Sequence, residues 1–170
     1  MSKSKGNVVV PNDLIEQYGA DAVRYWAANA RLGTDTANDE QVFKVGKKLV
    51  VKIFNASKFV LSNYHEIDEI EIKNIKNNLD KSIVYIFNDY LNKITDSLDK
   101  FQFAEALNSI EDFFWNYFTD NYIELVKNRR MLGNASDSLS ASTTLILILE
   151  NLLKLFAPFV PMITEEIWTT

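Results

Sequence analysis

The sequence contains no cysteine and a single histidine, His65, among its 170 residues. Without cysteine the chain cannot build a disulfide framework or a thiolate zinc site. The lone histidine opens a polar, acidic stretch, so neither a histidine metal site nor a Ser-His-Asp catalytic set is available. These absences exclude a disulfide framework and three common kinds of functional site.

Positive charge is also scarce, because 18 lysines and arginines face 23 aspartates and glutamates, for a net charge of −5. A general nucleic-acid binder carries an excess of positive charge, so any RNA contact here must use a local basic patch. Hydrophobic residues make up 47% of the chain, which is ordinary for a globular protein. A chain of this length can bury one sizeable core.

The longest apolar run extends from residue 143 to residue 163 and is interrupted by Glu150, Asn151 and Lys154. Charges in the middle of such a run and Pro158 near its end favour a buried helix of a soluble protein over a membrane span. No secretory hydrophobic segment opens the chain. We therefore expect a cytoplasmic protein that has no membrane partner.

Apolar residues recur at helical spacing along most of the chain, and no run predicts a strand. The pattern predicts an all-α fold, an antiparallel helix bundle with a small N-terminal helical appendage after an initial loop. We expect helices at about 11–19, from 20 to the break at Gly33, and at 40–64, 79–100, 102–132 and 142–157. Polar linkers are expected at 65–78 and 133–142, and the predicted domains are 1–38 and 39–170.

The predicted helix 40–64 separates lysines from apolar residues when it is plotted at 100° per residue. One side carries Phe43, Gly46, Leu49, Val50, Ile53, Phe54, Ser57, Val60 and Leu61. The other side, called the basic face below, carries Lys44, Lys47, Lys48, Lys52, Asn55, Lys58 and Phe59. No acidic residue lies between Val42 and Tyr64.

Two interpretations of the basic face remain open on residue chemistry alone. Lysines attract backbone phosphates, an exposed phenylalanine stacks on an unpaired base, and an amide hydrogen-bonds a base edge. A lysine-rich helix face is also a common solvated surface. Weaker RNA-contact candidates are Tyr64 and the cluster Lys127, Arg129 and Arg130, although arginines at a helix C-terminus also complement its dipole.

The first residues, Met1-Ser2-Lys3-Ser4-Lys5-Gly6-Asn7, combine lysines, hydroxyls and a glycine, and Lys suits the charge of a polyphosphate. Together with the following Tyr18-Gly19-Ala20-Asp21-Ala22 segment, they resemble the KMSKS signature region of class I aminoacyl-tRNA synthetases. Met1 to Ser4 match the last four letters of that signature. Later segments resemble the valyl-tRNA synthetases within that class: 31–37, 55–61, 115–127, 156–159 and 164–168. Asn38 departs from this pattern, because an aromatic residue is expected there.

The resemblance implies that a complete enzyme activates valine with ATP, accompanied by magnesium, and charges the tRNA for valine. It implies a catalytic role for Lys3 and ATP contacts from Ser2, Lys3, Ser4 and Lys5. It assigns tRNA binding to the bundle, for which we single out Lys44, Lys48, Lys52, Asn55, Lys58 and Phe59. Because the first lysine of the signature would precede Met1, we expect a fragment that neither activates valine alone nor stably binds a cofactor. We also expect it to be a monomer.

Two alternatives stay open from the sequence. One is the equivalent fragment of an isoleucyl- or leucyl-tRNA synthetase, which shares the signature region but resembles this chain less after Gly33. The other is a helical protein-interaction module whose basic face contacts an acidic protein.

Overall fold

The computed structural model describes residues 11–31, 33, 39–62 and 71–169, and these form helices with no strand among them. The predicted all-α class is therefore confirmed. The helices are α1 (Pro11–Tyr18), α2 (Ala20–Asn29), α3 (Glu40–Leu61), α4 (Asn78–Asp99), α5 (Phe103–Asp112), α6 (Ile123–Leu132), α7 (Ala135–Phe156) and α8 (Pro161–Trp168). A short 3₁₀ helix at Ile72–Asn74 precedes α4, and a π-helical segment at Phe113–Tyr122 joins α5 to α6.

Side-chain caps determine where the long helices begin. Asp39 accepts a hydrogen bond from the Gln41 amide at 2.9 Å and starts α3 at its predicted residue. Asn134 accepts from the Asp137 amide at 3.0 Å, so α7 begins at Ala135. The predicted polar connector at 133–142 is therefore wrong, because most of it forms the first turns of α7. Its polar residues are accommodated there by the cap and by side-chain hydrogen bonds.

The predicted helix at 102–132 is confirmed as a helical rod, but its centre is π-helical. Wide turns of this kind leave backbone groups that side chains can pair with. The Thr119 hydroxyl donates to the Trp115 carbonyl at 3.2 Å, and the Asn121 amide donates to the Asn116 carbonyl. Buried rings from this segment fill the core: Phe113, Phe114, Phe118 and Tyr122.

Helix α7 lies at the centre of the bundle, where it contacts α3, α4, α5, α6 and α8. Its buried residues include Leu145, Ile148, Leu149 and Leu152. In the part of the chain that the structure describes, α7 is the one helix long and apolar enough to cross a membrane, and 67% of its most apolar window is buried inside the bundle. Such burial is typical of the core helix of a soluble protein.

The N-terminal helices α1 and α2 pack closely on α3. The turn between them needs Gly19, whose φ of 91° lies in the left-handed region. Tyr18, Ala22 and Phe43 form a small buried cluster at this contact. A Cβ at Gly46 would come within 2.8 Å of Cδ1 of Tyr25, so glycine permits the close approach of α2 to α3. The domain boundary between residues 38 and 39 stays a prediction.

Candidate functional site

The basic face covers the solvent side of α3, while Phe43, Leu49, Ile53 and Val60 lie in the core. Lys44, Lys47, Lys48, Asn55 and Lys58 are exposed, and Lys52 is half-buried. Phe54, which the sequence plot places on the apolar side of the helix, is an exception to the burial of that side, because 47% of it is exposed. Phe54 lies only about 20° around α3 from the buried Phe43, but Phe43 is covered by Tyr18 and Trp26 of α1 and α2, whereas Phe54 belongs to neither core cluster.

Two of the predicted RNA-contacting lysines have intramolecular partners. Nζ of Lys44 lies 3.0 Å from Oε1 of Glu40, which also accepts a 2.7 Å hydrogen bond from the Tyr18 hydroxyl. The Tyr18 hydrogen bond and Lys44 lower the pKa of Glu40. Nζ of Lys52 lies 3.0 Å from Oδ1 of Asp120 and 5.2 Å from the centre of the Trp115 ring. The hydrogen bond from Lys52 lowers the pKa of Asp120.

Three other polar residues of the basic face are exposed and make no side-chain contact to a polar partner within the described residues: Lys48, Asn55 and Lys58. Among the described residues, the one polar contact of the Lys47 ammonium is with a backbone oxygen, that of Gln17 at 3.3 Å. The charge available to a ligand is therefore uneven along α3. It is greatest where Lys48 and Lys58 face solvent, on either side of Asn55.

Phe59 is half-buried and packs against the main core. The Arg130 guanidinium lies 5.3 Å from its ring centre, a distance at which cation–π attraction operates. Phe59 lies only about 80° around α3 from Leu49, which explains why its ring reaches the core. The remaining exposed part borders the lysines, so the side chain is available to a ligand only in part.

Arg129 and Arg130, weaker candidates from the sequence, stabilise the bundle. Arg130 is 4% exposed and donates to the backbone oxygens of Phe59 at 2.9 Å and Val60 at 2.8 Å, which caps the C-terminal end of α3. Arg129 pairs with Asp80, and that hydrogen bond raises the pKa of Arg129. Lys127 pairs with Glu124 on its own helix. The two arginines thus contact other helices: Arg130 caps α3, and Arg129 pairs with Asp80 of α4.

Asp80 is the centre of a buried cluster that the sequence did not reveal. Its carboxylate is fully buried and accepts from the Tyr122 hydroxyl at 2.7 Å, the Ser140 hydroxyl at 2.6 Å and Nη1 of Arg129 at 2.9 Å. The Ser140 hydroxyl in turn accepts from the Lys76 and Asn77 amides. The Asp80 cluster, comprising Asp80, Tyr122, Arg129 and Ser140, therefore joins α4, α6 and α7.

The predicted signature residues Ser2, Lys3, Ser4 and Lys5 lie outside the described residues, as does Tyr64. Their predicted roles therefore stay predictions. Across 11–31, 33, 39–62 and 71–169 no group of three or more acidic or histidine side chains could hold a metal ion.

Comparison with known proteins gives two family matches. Residues 80–170 match the anticodon-binding domain of tRNA ligase, and residues 1–39 match tRNA synthetases class I (I, L, M and V). The chain is 48% identical over 168 residues to a valine–tRNA ligase of Wolbachia pipientis wMel, covering 99% of this chain and 19% of that protein. It is 44% identical to the valine–tRNA ligase of Thermobifida fusca strain YX, with the same two coverages.

The fold is similar to that of the LeuRS chain in a crystal structure of a LeuRS–tRNA–LeuAMS ternary complex from Agrobacterium radiobacter K84. The TM-score is 0.72 at 24% identity, over 99% of this chain and 20% of that one. The chain spans about a fifth of the length of the curated relatives it matches.

Proposed function

The chain belongs to the family of anticodon-binding domains of tRNA ligases, and from that premise we propose that it is the anticodon-binding part of a valine–tRNA ligase. Identities of 44–48% to valine–tRNA ligases across 99% of the chain support this specificity. The structural observation that supports tRNA binding is the basic face of α3. That face gathers lysines, an amide and a partly exposed ring on one helix of an otherwise acidic chain.

Within this proposal Lys48, Lys58 and Asn55 make the first contacts with tRNA. The two lysines meet backbone phosphates, because no carboxylate of the described residues competes for them. Asn55 can donate to and accept from a base edge, and the exposed part of Phe59 can stack on an unpaired base. Lys44 and Lys52 can bind phosphates only after their ion pairs with Glu40 and Asp120 break, so they contribute less to tRNA affinity.

The complete protein would activate valine with ATP and transfer it to its tRNA as a cytoplasmic monomer. Lys3 would stabilise the negative charge that develops on the leaving pyrophosphate, while Ser2, Ser4 and Lys5 shape the loop around the phosphates. Magnesium would arrive bound to ATP and help neutralise the phosphates. The chain alone lacks most of this machinery, so we expect it to show no valine-dependent pyrophosphate exchange.

A tRNA titration tests the proposal. The complete protein is titrated with the unmodified transcript of the tRNA for valine, with the same transcript carrying a changed anticodon, and with the tRNAs for isoleucine and leucine. We expect tightest binding to the valine transcript and weaker binding after the anticodon change. Tighter binding to an isoleucine or leucine tRNA would assign the chain to a related ligase. Equal binding to all four transcripts would contradict an anticodon-reading function.

A further inference from the structure

Helix α2 holds the junction between α7 and α8 through two opposite charges. Asp21 is 6% exposed, and its two carboxylate oxygens accept from the amides of Met162 at 3.1 Å and Ile163 at 2.8 Å, in the first turn of α8. Nη2 of Arg24 donates to the Pro158 oxygen at 2.7 Å, and its Nε donates to the Phe159 oxygen at 3.3 Å, just past the end of α7. We call these four hydrogen bonds the α2 clamp.

The α2 clamp matches charge to helix polarity. A carboxylate is favoured at the positive N-terminal end of a helix, and a guanidinium at the negative C-terminal end. Asp21 and Arg24 are three residues apart and so lie on the same side of α2, where they reach both helix ends at once. Each residue uses two hydrogen-bonding atoms, and the contacts join positions 134 to 142 residues apart in the chain.

Other contacts prevent α2 from moving alone. Gly46 brings α3 into contact with the Tyr25 ring, and the Tyr25 hydroxyl donates to Oε2 of Glu111 on α5 at 3.0 Å. Helix α2 is therefore fixed to α3, to α5 and to the α7–α8 junction. Residues 1–7, which resemble the signature region, lie just ahead of α1 and α2 in the sequence.

We infer that Asp21 and Arg24 are positioning residues, which hold the basic face of α3 and the rest of the bundle at a fixed place relative to α2, the helix that follows the signature-like residues in the sequence. This inference rests on the proposed function, because it concerns how tRNA bound at the bundle is presented to the reacting groups. A small displacement between bound tRNA and those groups slows transfer without changing how tightly either substrate binds.

The test compares three steps in the complete protein: tRNA-independent pyrophosphate exchange, tRNA affinity, and single-turnover transfer of valine to tRNA. Asp21→Asn replaces one of two acceptor oxygens with a donor, and Arg24→Ala removes both guanidinium contacts. We expect transfer to fall about 10-fold in each variant, while exchange and affinity stay within about twofold. Arg24→Lys, which can still reach one carbonyl, should recover part of the transfer rate.

Ile94→Val is the matched control, since it lowers stability through packing in α4, away from the clamp. The inference is overturned if transfer by the clamp variants falls no further than in Ile94→Val, compared at equal loss of thermal stability. It is also overturned if exchange and transfer fall together. Failure of the unaltered protein to bind the valine tRNA would instead contradict the proposed function, so the two failures are distinguishable.

Discussion

The Asp80 cluster and the basic face of α3 both gather charged residues, but they differ in burial and pairing. In the Asp80 cluster the side chains of Tyr122, Arg129 and Ser140 all donate hydrogen bonds to Asp80, whose carboxylate is out of contact with solvent. On the basic face Lys48 and Lys58 are exposed without an acidic partner among the described residues. Buried, paired charge holds helices together, whereas exposed, unpaired charge is available to a ligand.

Removing the carboxylate of Asp80 should have the largest effect on stability. Asp80→Ala leaves Arg129 and the Tyr122 hydroxyl without their acceptor, which should cost about 3–5 kcal/mol of unfolding free energy. Urea denaturation measures this, with Asp99→Ala as control, because Asp99 is an exposed carboxylate of the same helix. A loss no greater than that of the control would show that the Asp80 cluster is not what joins α4, α6 and α7.

Glu111 tests an intermediate case, a mostly buried carboxylate with one neutral partner, the Tyr25 hydroxyl. Burial raises the pKa of Glu111 from 4.5 to about 7. The folded state therefore favours protonated Glu111, and this contribution to stability is complete below pH 4.5 and is lost as the pH rises through 7.

Glu111→Gln should remove that loss, which is on the order of 3 kcal/mol. Unfolding free energies of both proteins between pH 4 and pH 8 provide the measurement. The original chain should weaken relative to Glu111→Gln as the pH rises. Parallel pH profiles would mean that Glu111 is solvated and ionises normally.

Phe59 lies between the two kinds of region, since its ring contacts the core and borders the lysines. Phe59→Ala should weaken tRNA binding by about 1–3 kcal/mol through lost base stacking. Its stability cost should stay below the roughly 3–5 kcal/mol of a fully buried ring. Phe54→Ala, an exposed ring on the same helix, is the control for stability. A stability loss at the fully buried level with unchanged tRNA affinity would make Phe59 a core residue only.

Sequence periodicity predicted the helices because burial of apolar residues repeats with the helical turn. Periodicity within one helix did not predict which of its side chains the other helices cover. Phe54 and Phe59 are the same residue type on one helix, yet Phe54 is exposed while Phe59 packs against the core and Arg130, because contacts from other helices decide their burial. The partners of Asp21, Arg24 and Asp80 lie far away in the chain, so no local pattern could identify them.

The lysine face itself was predictable from 100° spacing, but the difference between its lysines was not. Lys52 meets Asp120 and Trp115 of the π-helical segment, which lie more than 60 residues away in the chain. The sequence therefore indicates where the candidate site lies, and the fold determines which of its charges remain available.

The most direct test of this account is the salt dependence of tRNA affinity for Lys48→Ala, Lys58→Ala and their double variant. Each lysine that contacts a phosphate should contribute about 0.7–0.9 to the slope of log affinity against log salt concentration. The double variant should therefore lose about twice that slope, with unchanged thermal stability. Lys81→Ala, an exposed lysine of α4 away from the basic face, should keep the original slope. An unchanged slope in the double variant would contradict RNA binding by the basic face of α3.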